Sequence, residues 1–287
     1  MKRRAFLGFA GGMMCSCGGK SDEQFWTGIV FGIPVGIRFR SSSTEDAEKL
    51  GAECLAIAQN YEASFSLWDE NSELSRLNRQ GELMRPSKGL WDCLKIARSF
   101  HEKSGGLFDP SIHSYLEWMR VEYAAGRVPD QGQAERRREA VDFSRVELSE
   151  KAIRLEQGMA LSLNALAQGY VTDRVCDFLE SQVSSALVNF GEFRVVGSMP
   201  FPVEVQDAKL TIDLERAMAV SSGGGQRLSA TASANHLIRP GNGSSPDPKE
   251  IIVVEADQAV DADAIATIVA LGGAVPEGFG EVEIRRV

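Results

Sequence analysis

Two hydrophobic periods share this chain, and their order along it restricts the fold more than any other feature. From Phe31 through Ile33, Val35 and Ile37 to Phe39 every second residue is apolar, the period of a strand or hairpin over 29–39. Ala47, Leu50, Cys54, Ile57, Tyr61 and Phe65 then recur every three to four residues, and Ser42 with Glu45 has the spacing of a capping box at the start of that helix. The same period predicts helices over 90–103, closed by Ser104-Gly105-Gly106, over 165–180 and over 261–271. The polar stretch 123–140, with Arg136-Arg137-Arg138, reads as a solvated surface helix. Strands are expected singly at 186–190, 193–197, 203–205 and 251–255, and as hairpins within 141–163 and 210–222. Strands that pair with their chain neighbours between runs of helix do not build a doubly wound parallel sheet. The pattern predicts an α+β fold of mixed helices and antiparallel sheets.

The first twenty residues do not share this patterning. Lys2-Arg3-Arg4-Ala5-Phe6-Leu7 precedes a short apolar stretch, Cys15-Ser16-Cys17-Gly18-Gly19 and then polar residues. Paired arginines before a weakly apolar segment resemble a twin-arginine export signal, and either Cys15 or Cys17 is a candidate acylated residue of a lipoprotein. The expected organisation is therefore a leader over 1–20 and one catalytic unit over 21–287, periplasmic, with a lipid anchor to the inner membrane as a candidate attachment. Nothing in the chain approaches the ~20 apolar residues of a membrane span. Beyond the leader only Cys54, Cys93 and Cys176 remain, without CxxC spacing, and they read as small core residues. With 31 Lys and Arg against 40 Asp and Glu the net charge is −9, which argues against nucleic acid as a partner because phosphate affinity comes from clustered cations.

Several chemistries are missing from the sequence. Gly223-Gly224-Gly225 is not followed by Lys-Ser/Thr, so there is no Walker loop, and neither a dinucleotide GxGxxG nor a GxSxG elbow occurs. The three histidines lack metal-site spacing. One arrangement does point to chemistry. Asp263 and Thr267 lie four residues apart on the predicted last helix, on one face, among Ala262, Ala264, Ile265, Ala266 and Ile268. A carboxylate among alanines is costly to bury unless paired or metal-bound, and carboxylate plus hydroxyl suits Mg2+. The competing reading sets Asp263 in the first helical turn, where negative charge complements the macrodipole.

Six segments in order then resemble the flavin transferase family, the FAD:protein FMN transferases also called ApbE proteins. They are Ser66-Leu67-Trp68-Asp69-Glu70-Asn71-Ser72, Ser104-Gly105-Gly106-Leu107-Phe108-Asp109-Pro110, Leu163-Asn164-Ala165-Leu166-Ala167-Gln168-Gly169-Tyr170, Val188-Asn189-Phe190-Gly191-Glu192, His236-Leu237-Ile238-Arg239-Pro240 and Ala262-Asp263-Ala264-Ile265-Ala266-Thr267. The resemblance implies Mg2+-dependent cleavage of FAD, with FMN passing to a Ser or Thr hydroxyl of an acceptor flavoprotein subunit. It implies Asp263, Thr267 and the Ala167 carbonyl as metal ligands and His236 as proton acceptor. Trp68, Gln168, Asp173, His236 and Leu237 are implied to contact the nucleotide. The chain reads as a divergent branch: Arg239 replaces the Asp of the family's His-x-x-Asp-Pro-x-Thr-Gly segment, Asn242 its Thr, and Ser162 stands where relatives often carry Asp. The Arg239 departure motivates two alternatives, an FAD-binding periplasmic lipoprotein without transfer and a Mg2+-dependent FAD pyrophosphatase.

Overall fold

In the computed structural model, residues 23–40, 43–205, 208–224, 227–228 and 234–287 are described. The leader with Cys15 and Cys17, and the capping role expected of Ser42, lie outside them.

The chain enters through an antiparallel hairpin, β1 (Glu23–Val30) and β2 (Ile33–Arg40), turning at Phe31 and Gly32, which both have positive φ as a two-residue type I′ turn demands. The hairpin starts earlier than its alternation announces, because only Trp26 and Val30 of β1 are buried. Helix α1 (Thr44–Phe65) follows, with Ser43 Oγ accepting the Asp46 N–H at 3.1 Å as its N-cap. Next come α2 (Glu73–Gln80), β3 (Glu82–Met84) and α3 (Lys88–Lys103). Helix α4 (His113–Ala124) follows, unannounced by the sequence pattern, and the surface helix expected over 123–140 is shorter than that stretch: it is α5 (Gln131–Arg138), set off from α4 by Gly126 with φ +72° and by Pro129. Of the expected 141–163 hairpin only β4 (Glu147–Leu148) and β5 (Ala152–Arg154) pair; β5 also pairs with β3.

Helix α6 (Ala167–Leu179) leads into β6 (Ala186–Asn189), β7 (Phe193–Val196), β8 (Phe201–Val205), β9 (Leu210–Leu214) and β10 (Ala217–Ser222). The chain closes with β11 (Ile251–Ala256), α7 (Ala259–Ala270) and β12 (Glu283–Arg286). Seven strands form one sheet in the order β1-β2-β6-β7-β10-β11-β12, with every neighbour antiparallel. The α+β expectation therefore holds. The 210–222 hairpin does not: β9 pairs with β8, while β10 lies between β7 and β11. The reason is burial. Val203, Val205, Ile212 and Leu214 of the β8–β9 hairpin cover Leu187, Val195, Met218 and Val253 on one face of the large sheet, forming a second apolar core.

The opposite face is covered by helices, and α1, α6 and α7 share the principal core with it. The approach of α6 to α7 depends on Gly169, since a Cβ there would lie 2.4 Å from the Ala259 carbonyl oxygen. A third cluster, Tyr115, Leu116, Met119, Ala134 and Ile238, joins α4 and α5 to the segment that carries His236. Cys54, Cys93 and Cys176 are buried free thiols, as their apolar settings imply.

Candidate functional site

Asp263 is in the second turn of α7, not the first, and its side chain is only 7% exposed. The helix starts two residues earlier than its periodicity suggests because a carboxylate from another helix caps it. Asp173 of α6 accepts the Ala259 and Val260 N–H groups, each at 2.9 Å. The macrodipole explanation of Asp263 thereby loses its ground, and Asp261 occupies the first turn instead.

Among the described residues Asp263 accepts a single hydrogen bond, from Gly169 N–H at 3.3 Å. Burial pushes its carboxyl up to about 7, with Asp173 adding to the rise and the Gly169 N–H opposing it. A second carboxyl is near: Glu192, in the turn after β6, is held well above the usual range by burial and then by Asp263. Two buried acids thus lie close together here, and among the described residues neither forms an ion pair. Thr267, half-buried one turn further along α7, adds a hydroxyl, and Ala167 opens α6 two residues before the glycine that bonds Asp263. Carboxylate, hydroxyl and backbone carbonyl are hard oxygen donors, and a buried acid with one long hydrogen bond is the setting a divalent cation relieves. The donor set fits Mg2+.

Gln168 is half-buried beside this turn and lies across Gly191, whose φ is +114° and where a Cβ would come within 2.6 Å of the Gln168 side chain. Trp68 is 74% exposed, three residues beyond Phe65, whose ring meets Tyr170 of α6 edge-on at 5.8 Å. Asp173 differs from expectation. It is fully buried, and besides capping α7 it holds Arg194 at 2.9 Å, so its oxygens serve α7 and β7 and not an open nucleotide site. Leu237 is likewise buried in the principal core, 6% exposed, which leaves contact from this residue to its backbone.

His236 is half-buried in a segment fixed on both sides. Before it, Asn235 is buried and donates to Pro246 O at 3.2 Å; its Oδ1 accepts Leu237 N–H at 2.8 Å. After it, Leu237 enters the principal core and Ile238 the third cluster. Arg239, the residue that departs from the family pattern, turns away and donates from Nε to the carbonyl of Leu271, the C-cap of α7, at 2.7 Å.

Two other clusters of polar side chains are self-satisfied. His101, Asp109 and Asp142 come together, but Asp109 already accepts from Ser111 and Phe143, and Asp142 from Ser144. His101 Nδ1 donates to Phe108 O at 3.0 Å, and the trio ties α3 to two turns. An open cleft of about 300 Å³ includes Arg216, Arg285, Glu255 and Glu283, whose charges pair with one another, and contains none of the residues singled out by sequence. Sequence reasoning gave no role to Glu192, Gly169 or Arg194; nothing local marks an acid in a turn as the neighbour of a helix 70 residues later.

Fold and site define a class: an antiparallel α+β protein in which a buried acid, one turn before a hydroxyl on the same helix, accepts a hydrogen bond from the opening turn of another helix, with a pinned histidine segment tied to the end of the first. The ApbE family profile matches residues 31–277, and the chain belongs to that family. It is 25% identical over 289 residues to the FAD:protein FMN transferase of Treponema pallidum (strain Nichols), spanning 88% of this chain and 80% of that protein. The enzyme of the same name from Klebsiella pneumoniae (strain 342) is 24% identical over 286 residues, spanning 92% and 88%. The crystal structure of an ApbE protein from Thermotoga maritima superposes with a TM-score of 0.75 at 20% identity, covering 87% of this chain and 86% of that one.

Proposed function

We propose that this protein is a Mg2+-dependent FAD:protein FMN transferase, exported and anchored as a lipoprotein, that attaches FMN through a phosphoester to a Ser or Thr hydroxyl of an electron-transfer subunit. The observation that carries the reading is Asp263, buried with one long hydrogen bond on α7 one turn before Thr267 and against the opening turn of α6. Membership of a family whose named relatives are FAD:protein FMN transferases supplies the substrate class. In the reaction the acceptor oxygen bonds to the FMN phosphorus, the bond from that phosphorus to the bridging oxygen breaks, and AMP leaves with the electron pair. His236 takes the hydroxyl proton. Mg2+, when bound to Asp263, Thr267 and the Ala167 carbonyl, would neutralise charge on the pyrophosphate. Trp68, largely exposed, would contact the isoalloxazine, and Gln168 would offer a polar group to the phosphates.

Arg239 favours this reading over loss of transfer, since its guanidinium is engaged at the end of α7. Incubating the protein with FAD, Mg2+ and a flavinylation-domain acceptor is expected to release AMP and leave covalent flavin fluorescence on the acceptor. AMP release without labelled acceptor would identify the pyrophosphatase alternative, and bound FAD with neither product the binding-only lipoprotein. The export reading rests on residues 2–7 and 15–19; no helix of the described residues is long and apolar enough to cross a membrane. Its check is fractionation of cells expressing wild type and Cys17→Ala, with Cys15→Ala as the parallel arm.

A further inference from the structure

The segment carrying His236 and the helix carrying Asp263 come from different parts of the chain, and one side chain joins them. Arg239 Nε donates to Leu271 O at 2.7 Å, and Leu271 N–H in turn donates to Thr267 O at 3.0 Å, so the guanidinium sits one turn beyond Thr267. Its Nη1 reaches Ser244 Oγ at 3.2 Å. Its backbone is tied as well: Arg239 N–H donates to Ser244 O and Gly243 N–H to Arg239 O, both at 2.8 Å, which closes the loop 239–244 on itself. A cation at a helix C-terminus meets the unpaired carbonyls and the negative end of the macrodipole, and guanidinium can hold two acceptors in one plane.

We propose that Arg239 is a positioning residue, which fixes His236 relative to the Asp263–Thr267 pair by fastening the histidine segment to the last turn of α7. The inference rests on the transferase reading for its kinetic consequence but not for the tether itself. It also accounts for the departure from the family pattern. A carboxylate at position 239 would face the Leu271 carbonyl and the negative helix end, so restoring the family's Asp is expected to harm this protein more than removing the side chain.

The test uses the full chain with FAD, Mg2+ and acceptor. Arg239→Ala is expected to lower kcat roughly 10- to 100-fold, the scale of a displaced catalytic group, with KM for FAD changed less than about twofold. Arg239→Lys, which keeps one donor and the charge, should recover part of kcat, and Arg239→Asp should fall below Arg239→Ala. Hydrogen exchange should quicken at the amides of 235–245 and stay unchanged across 262–268. A kcat within about twofold of wild type for Arg239→Ala overturns the proposal. So does a rise in KM that accounts for the whole loss, or equal exchange in both segments. Arg239→Gln serves if the alanine variant does not fold. Wild-type protein that transfers no FMN would refute the transferase reading instead, and the exchange measurement then decides the tether alone.

Discussion

Asp263 is the residue on which the site's electrostatics turn, because its burial disfavours the ionised form that would bind a cation. With its carboxyl near 7 in the folded chain, against 3.8 for an unperturbed Asp, the folded state binds more protons than the unfolded one between about pH 4 and 7. The stability of the metal-free protein is therefore expected to fall as pH rises through that window, and Asp261, raised to about 6 by burial, acts in the same direction. Mg2+ binding at Asp263 reverses the penalty only where the carboxylate is charged. Thermal melts should show a larger stabilisation by Mg2+ at pH 8 than at pH 5, and Asp263→Asn should abolish the difference; an Asn variant that still responds to Mg2+ like wild type would exclude Asp263 as the ligand. Asp263→Ala is also expected to remove FAD turnover by at least 100-fold, measured as AMP release. Asp263 and Thr267 were legible in the sequence as a pair on one helix face, since their spacing and apolar surroundings are local; that the macrodipole does not account for Asp263 was decided by the start of α7 at Ala259. Glu192 was not legible, because its proximity to Asp263 comes from a turn between two strands packing against a helix far along the chain.

Helices α6 and α7 act as a pair, and two residues set how they meet. Gly169 allows contact with the Ala259 carbonyl, so Gly169→Ala must push the helices apart. Overpacking of this kind costs about 1–3 kcal/mol, and since the displaced turn also holds Asp263, Mg2+ affinity should weaken along with denaturant stability. Asp173 is the second. Its carboxylate caps α7 and is the one fully buried acid among the three that hold Arg194, so Asp173→Ala leaves two α7 N–H groups without their acceptor and Arg194 with only the partly exposed Asp177 and Glu180 as charged partners. A loss of about 1–3 kcal/mol is expected by chemical denaturation, the scale of a lost helix cap and of buried N–H groups left unsatisfied. A loss of FAD affinity without loss of stability would instead return Asp173 to the nucleotide site. Element types were largely readable from period, but ends were not: α7 starts at Ala259 because of a carboxylate on another helix, and the surface helix expected over 123–140 is confined to Gln131–Arg138 because Gly126 and Pro129 interrupt its first part.

Across the whole molecule, a chain of net charge −9 has to accept FAD, whose pyrophosphate is itself anionic. Long-range electrostatics oppose this encounter, so affinity should depend on the bound cation more than on ionic strength. Flavin fluorescence titration after EDTA treatment is expected to show at least tenfold weaker FAD binding, restored by Mg2+ and not by an equal ionic strength of NaCl; tight binding without divalent metal would contradict it. The sequence by itself determined the α+β class, most helices, the buried thiols and the Asp263–Thr267 pair, because periodicity and burial cost are local properties of residue order. It misjudged the partner of β9, since two adjacent strands pair or separate according to which apolar face must be covered, and the β8–β9 hairpin was needed over Leu187, Val195, Met218 and Val253. Only the tertiary structure decided that Asp173 caps a helix, that Glu192 joins Asp263, and that Arg239 fastens the His236 segment to α7. Each is a contact between groups distant in the chain, fixed by packing and by the need to satisfy buried polar groups.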